Sequence, residues 1–169
     1  MNIEDICGRY LKNYTINSDG TIDVDGDVNL NNIGLNKLPF KFGRVTGSFH
    51  CSLNKLTTLE GSPKWVGGDF DCTANRLRTL EGGPEIVIGS YYCDYNNLVN
   101  FKGFPEDYDG YIVIRFNPVN KLLLNIVRKE WSKFIYWCNE LNVIDDEGNV
   151  NEEWLEEVYH KIGIEYENK

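Results

Sequence analysis

Cys51, Cys72 and Cys93 recur at a spacing of 21 residues, and a regular row of thiols is the first pattern to weigh for chemistry. Zinc needs four ligands converging on one point. Equal spacing instead stacks the thiols at the strand interval of about 4.8 Å, and no fourth ligand accompanies them. The row reads as core packing by a small apolar side chain. His50 lies between Ser48 and Ser52, two parts of a serine hydrolase, but no Asp stands where it would orient the imidazole. No nucleophile elbow or oxyanion motif is visible. Cys138 shares an apolar helical face with neighbours Trp131, Tyr136 and Trp137 and reads as a buried thiol.

The stretch Asn17-Ser18-Asp19-Gly20-Thr21-Ile22-Asp23 has the oxygen ligands of the middle of a calcium loop. Thr15 and Gly26 occupy its first and twelfth places, where Asp and Glu are required, so it reads as a hairpin turn. Gly67-Gly68 and Gly82-Gly83-Pro84 precede neither Gly-Lys-Ser/Thr nor a strand–GxGxxG–helix unit and are not phosphate loops. No catalytic residue, metal ligand or cofactor site is expected. The net charge of −9 disfavours nucleic acid backbone as a partner and suits a basic protein surface. Five cysteines, an odd number, are expected as reduced thiols in a cytoplasmic protein. The N-terminus shows no signal peptide pattern, and no run of about 18 apolar residues predicts a membrane span.

The thiol row is one column of a longer register. Gly26, Gly47, Gly68, Gly89 and Gly110 are each 21 residues apart. Behind them follow Val28, Phe49, Phe70, Tyr91 and Ile112, then Asn54, Asn75, Asn96 and Asn117, then two Leu columns, then Pro63, Pro84 and Pro105. A fixed period of this length predicts stacked coils. A buried Asn at the turn leaving each strand carries two donors and an acceptor for backbone groups, so the Asn column reads as a structural ladder. Each return path is about ten residues, contains Gly and Pro, and cannot hold a regular helix, so extended or turn-like backbone is expected there. In the first coil Ile33 replaces the Asn, and Phe40 and Phe42 stand where Gly and Pro stand later.

The expected architecture is an α/β solenoid with a parallel sheet and no convex helices, organised as one structural domain. Residues 1–25 form an N-terminal cap, with a short amphipathic helix over 2–13 and a polar hairpin. Residues 26–118 are the coils. Residues 119–169 are a helical cap. In it the apolar spacing predicts a helix over 119–141, a turn over 142–150 and a second helix over 152–162 started by Asn151. The two helices are expected to cover the strand edge of the last coil.

The columns spell x-Phe-x-Cys-x-x-Asn-x-Leu-x-x-Leu. This resembles the leucine-rich repeat signature, and with proline after the last Leu it is most similar to the short repeats of bacterial effectors. Gly before the strand, Cys within it and Leu-Glu-Gly-x-Pro after it look like leucine-rich-repeat proteins of tailed phages. Val45, Val66 and Val87 stand one place early for the signature, which predicts a bulged start to each strand. The resemblance covers about 95 residues and implies a non-enzymatic protein-binding module. Its phage side implies binding and inhibition of a host cytoplasmic protein. The other readings are an acidic nucleic-acid mimic, or a structural virion component that self-associates.

Alternation places the first, third, fifth and sixth columns on the open face of the sheet. The candidate contact residues there are His50, Asp69, Asp71, Tyr92, Asp94, Tyr95, Tyr111, Arg115 and Phe116, since Tyr and Arg are preferred interface anchors. The alternative buries Tyr111, Val113 and Phe116 under the C-terminal helices. Five strands make a face only about 20 Å wide. That is smaller than the roughly 800 Å² each partner brings to a standard interface, so a cap, a coil edge or self-association would have to add area.

Overall fold

Each coil turns a corner at its glycine and so contains two short strands. The computed structural model describes residues 11–105 and 107–166. Before the corner lie β2 (Ile22–Val24), β4 (Phe42–Val45), β6 (Trp65–Val66), β8 (Ile86–Val87) and β10 (Asp107–Tyr108). After it lie β3 (Val28–Asn29), β5 (Phe49–His50), β7 (Phe70–Asp71), β9 (Tyr91–Tyr92) and β11 (Ile112–Val113). The first set, extended by β1 (Tyr14–Ile16), forms a six-stranded sheet in the order β1-β2-β4-β6-β8-β10. The second forms a five-stranded sheet in the order β11-β9-β7-β5-β3. Pairing is parallel throughout except for the antiparallel β1–β2 hairpin. The result is the solenoid that the period requires, without helices in its coils.

The second sheet explains the misplaced valines. Val45, Val66 and Val87 do not start a bulged strand. They end the strand before the corner, with side chains fully buried. The return path thus takes the extended of the two expected forms, and its strands pair into a sheet of their own. At the corner the Gly68 N–H bonds to Gly47 O and the Gly89 N–H to Gly68 O, both near 3 Å. A Cβ on Gly89 would sit 2.7 Å from the Gly68 main chain. That close approach accounts for Gly47, Gly68, Gly89 and Gly110, whereas Gly26 of the first coil meets nothing and is instead required by its φ of 118°.

Between the sheets the columns stack as continuous rows. Phe49 lies parallel to Phe70 at 5.6 Å, and Tyr91 continues the row 4.8 Å beyond Phe70. Leu56, Leu77 and Leu98, and Leu59, Leu80 and Phe101, are fully buried beside them. Each Phe or Leu in such a row contributes about 1.5–3 kcal/mol relative to exposure.

The C-terminal cap departs from expectation in its first half. One helix over 119–141 is replaced by 3-10 turns at Pro118–Leu123 and Arg128–Glu130, followed by α1 (Trp131–Glu140). The Val119 N–H still bonds back to Leu98 O of the preceding coil at 2.9 Å, so this segment follows the solenoid wall. Val127 is extended, and Trp131 Nε1 closes the break by donating to Ile126 O at 2.9 Å. The expected apolar face is also broken, with Val127 exposed. The second helix, α2 (Glu152–Ile162), has the expected bounds. Asn151 caps it by accepting from the Trp154 N–H, and Gly163 ends it in the left-handed conformation.

The cap covers the last coil as expected. Ile112 and Ile114, which have no further coil above them, are only 4% and 1% exposed. Phe134 of α1 meets Phe101 edge-on, and Asn139 Nδ2 donates to Phe101 O at 3.0 Å. At the other end the β1–β2 hairpin continues the six-stranded sheet, with Asp19 Oδ1 accepting the Thr21 N–H inside its turn. Most of the expected helix over 2–13 lies outside the described residues. Leu11 is buried, and residues 11–13 are not helical.

Candidate partner-binding face

The buried Asn of each coil bridges three segments of backbone. Asn75 Nδ2 donates to Cys72 O of its own coil and Cys51 O of the preceding one, both at 3.0 Å. Its Oδ1 accepts the Leu56 N–H at 2.9 Å. Asn54, Asn96 and Asn117 repeat this arrangement. All four are at most 8% exposed.

The residue before the Asn column is left-handed in every coil, including the first, where Ile33 replaces the Asn. Asn32, Leu53, Ala74, Tyr95 and Phe116 have φ between 52° and 58°. This sixth column is therefore the turn that leaves the five-stranded sheet, not part of its flat face. Left-handed backbone costs a residue with a Cβ roughly 1–2 kcal/mol, and glycine would remove that cost. At three of the five the chain instead places large apolar side chains. Leu53, Tyr95 and Phe116 are 60%, 55% and 62% exposed, and the rings of Tyr95 and Phe116 stack at 4.3 Å and 18°.

The first column does structural work as well. Asp27 Oδ1 accepts the Ser48 N–H, Ser48 Oγ the Asp69 N–H, Asp69 Oδ1 the Ser90 N–H, and Ser90 Oγ the Tyr111 N–H, at 2.7–3.1 Å. Asp69, a candidate contact residue, is thus tied to the main chain of the next coil. The fifth column does not face outward throughout, because the chain is already turning there. Asp94 is only 6% exposed. Its Oδ2 pairs with the Arg115 guanidinium at 3.3 Å, and its Oδ1 is buried without a partner among the described residues.

The remaining candidates share one side of the molecule. His50, Asp71 and Tyr92 are half-buried on the sheet, with Asp71 Oδ1 accepting the Thr73 N–H. Tyr111 and Phe116 escape the C-terminal helices, and Arg115 is exposed. The Arg128 guanidinium lies 5.5 Å over the Tyr111 ring. The described thiols are withdrawn from solvent. The four described cysteines, Cys51, Cys72, Cys93 and Cys138, are free and buried. Desolvation pushes the first three well above the ordinary thiol range and Cys138 up to about 12. No cluster of potential metal ligands occurs among the described residues.

Sequence reasoning passed over Leu53 as a contact candidate, although it shares the Tyr95 column. It also missed the outer face of the six-stranded sheet. There the Arg44 guanidinium covers the Trp65 ring at 3.4 Å, with Ile86 next in register, and Ile88 is exposed at the corner that follows. The early valines were the signal for that sheet. No family model, curated protein or solved structure matches the chain. No helix among the described residues is long and apolar enough to cross a membrane.

Proposed function

We propose that this protein is a non-enzymatic protein-binding module whose contact face is centred on Tyr95 and Phe116, with Leu53, Tyr92, Tyr111 and Arg115 around them. The observation that carries this reading is the left-handed column. Two stacked aromatic rings occupy positions where glycine would relieve strain, and more than half of each is exposed to water. A local rule broken for no gain to the fold beyond the mutual stacking of the two rings is expected at a functional site. Exposed Tyr and Phe beside an Arg fit an interface centre, and the acidity of the chain suits a basic partner. The nucleic-acid mimic is less well supported, because Asp27 and Asp69 hold main-chain N–H groups and Asp94 is buried. Membership of the leucine-rich repeats, a phage origin and inhibition of a host cytoplasmic protein rest on the likeness of the columns alone.

The test is affinity capture from bacterial lysate with the parent chain and with Tyr95→Gly/Phe116→Gly as baits. The reading expects a partner held by the parent and lost by the double variant. An unchanged set of captured proteins would remove the face from consideration.

A further inference from the structure

On another side of the molecule a groove of about 970 Å³ separates α1 from the loops at 81–84 and 103–105. Its size is at the upper end of the roughly 300–1,000 Å³ of ligand pockets. Phe104, Pro105, Ile112, Ile135 and Tyr136 give it an apolar lining. The ammonium, the amide and two of the hydroxyls on its wall already have partners. The Lys64 ammonium bonds to Glu85 at 2.6 Å, Asn139 Nδ2 to Phe101 O at 3.0 Å, and the Tyr108 and Ser132 hydroxyls share a bond of 2.6 Å. Beyond the Tyr136 hydroxyl, what stays open is acceptor. Glu81 and Glu140 also line the groove, and neither forms an ion pair among the described residues. An apolar floor under unpaired carboxylates is complementary to a ligand with an apolar body and several positively charged donors. The Tyr136 ring, which is exposed, adds a surface for a guanidinium.

We propose that this groove seats a basic segment of a partner protein, with an apolar side chain on the floor and an arginine or lysine directed at Glu81 and Glu140. The inference adds a second contact site to the binding-module reading and shares with it only the assumption that the ligand is a protein.

The test is selection of a short random peptide library on the 169-residue chain, followed by fluorescence polarisation with the selected peptides. Basic residues beside Leu, Phe or Trp are expected in them. Affinity should fall about tenfold or more in Tyr136→Ala and in Glu81→Lys/Glu140→Lys. It should be largely kept in Glu147→Lys/Glu153→Lys, which alters net charge equally elsewhere. Circular dichroism melts establish that each variant is folded. Failure to select any peptide, selection of acidic or uncharged peptides, or insensitivity to the groove variants would overturn the proposal. Equal loss in the control pair would also overturn it, because binding would then follow overall acidity. Loss only in Tyr95→Gly/Phe116→Gly would assign the peptides to the sheet-side face and leave the groove without a ligand.

Discussion

The Tyr91 hydroxyl lies 2.9 Å from where a Cβ on Gly83 would be. One coil earlier the same two columns hold Phe70 and Ser62. The larger ring is thus matched by the smaller loop residue. The match is steric and not polar, for the Tyr91 hydroxyl and the Ser62 Oγ are both buried without partners among the described residues. A buried hydroxyl with no bond costs about 1–3 kcal/mol.

Tyr91→Phe is therefore expected to leave stability unchanged or raise it by about 1 kcal/mol, read as the urea midpoint at constant slope. Gly83→Ser alone should destabilise by about 2 kcal/mol through overpacking, and by less in the Tyr91→Phe background, which copies the Ser62–Phe70 pair and leaves the 2.9 Å approach to Leu80 O to be relieved. Additive effects in this cycle would show that the two sites do not compete for space.

Asn75→Ala should cost about 1–3 kcal/mol, because two carbonyls and one N–H lose their buried partner. Asn75→Asp should be comparably poor, since a carboxylate cannot donate to Cys51 O and Cys72 O. Thermal and urea unfolding of both variants check this. A neutral Asn75→Ala would contradict the ladder.

Asp69→Ala should act on stability rather than on binding. It removes the 2.7 Å acceptor of the Ser90 N–H, and Ser90 is itself buried. A loss of about 1–2 kcal/mol is expected, with Asp69→Asn retaining part of it. Unaltered stability together with lost partner binding would restore Asp69 to the contact face.

Base should unfold the protein through its thiols. Burial raises the folded pKa values of Cys51, Cys72, Cys93 and Cys138 above the unfolded value of 9.0. Their contribution is therefore complete below about pH 9 and is lost as pH rises toward the folded values. Above pH 9 the unfolded chain holds fewer protons, and stability falls by up to about 1.4 kcal/mol per pH unit for each thiol. Urea midpoints from pH 8 to 10.5 should show the fall, with a shallower slope in Cys72→Ala. Rapid alkylation of Cys51, Cys72 or Cys93 in native protein at pH 8 would contradict their burial.

The coils were legible because a solenoid repeats its core in sequence. Once Phe49, Phe70 and Tyr91 fall in one column, the period itself fixes which residues meet. The Asn ladder was legible for the same reason. The corner was not, because it is a main-chain event. Gly47 and its equivalents permit it, but only the position of Val45, Val66 and Val87 betrays a strand ending before it. Taking alternation straight through the corner and the following turn put Asp69, Asp94 and Tyr95 on one flat face. In the structure Asp69 holds main chain, Asp94 is buried and only Tyr95 projects. The cap was least legible, since nothing in the apolar spacing of 119–141 records that 118–123 still follows the solenoid wall.

The left-handed column separates stability from binding. Ala74 sits at φ 55° with no large side chain to offer a partner. Ala74→Gly should raise stability by up to about 1 kcal/mol, as relief of strain exceeds the added freedom of the unfolded chain. Tyr95→Gly and Phe116→Gly gain the same relief but lose their mutual stacking, worth about 0.5–1.5 kcal/mol, so little net change in the melting temperature is expected. If the rings served the fold, each replacement would destabilise it by clearly more than the stacking term. If they serve a partner, the glycine variants should melt with the parent and bind it at least tenfold more weakly, about 1.4 kcal/mol. Calorimetric titration of the captured partner against the parent, Ala74→Gly and Tyr95→Gly distinguishes the two, and equal affinities for all three would end the case for the aromatic pair.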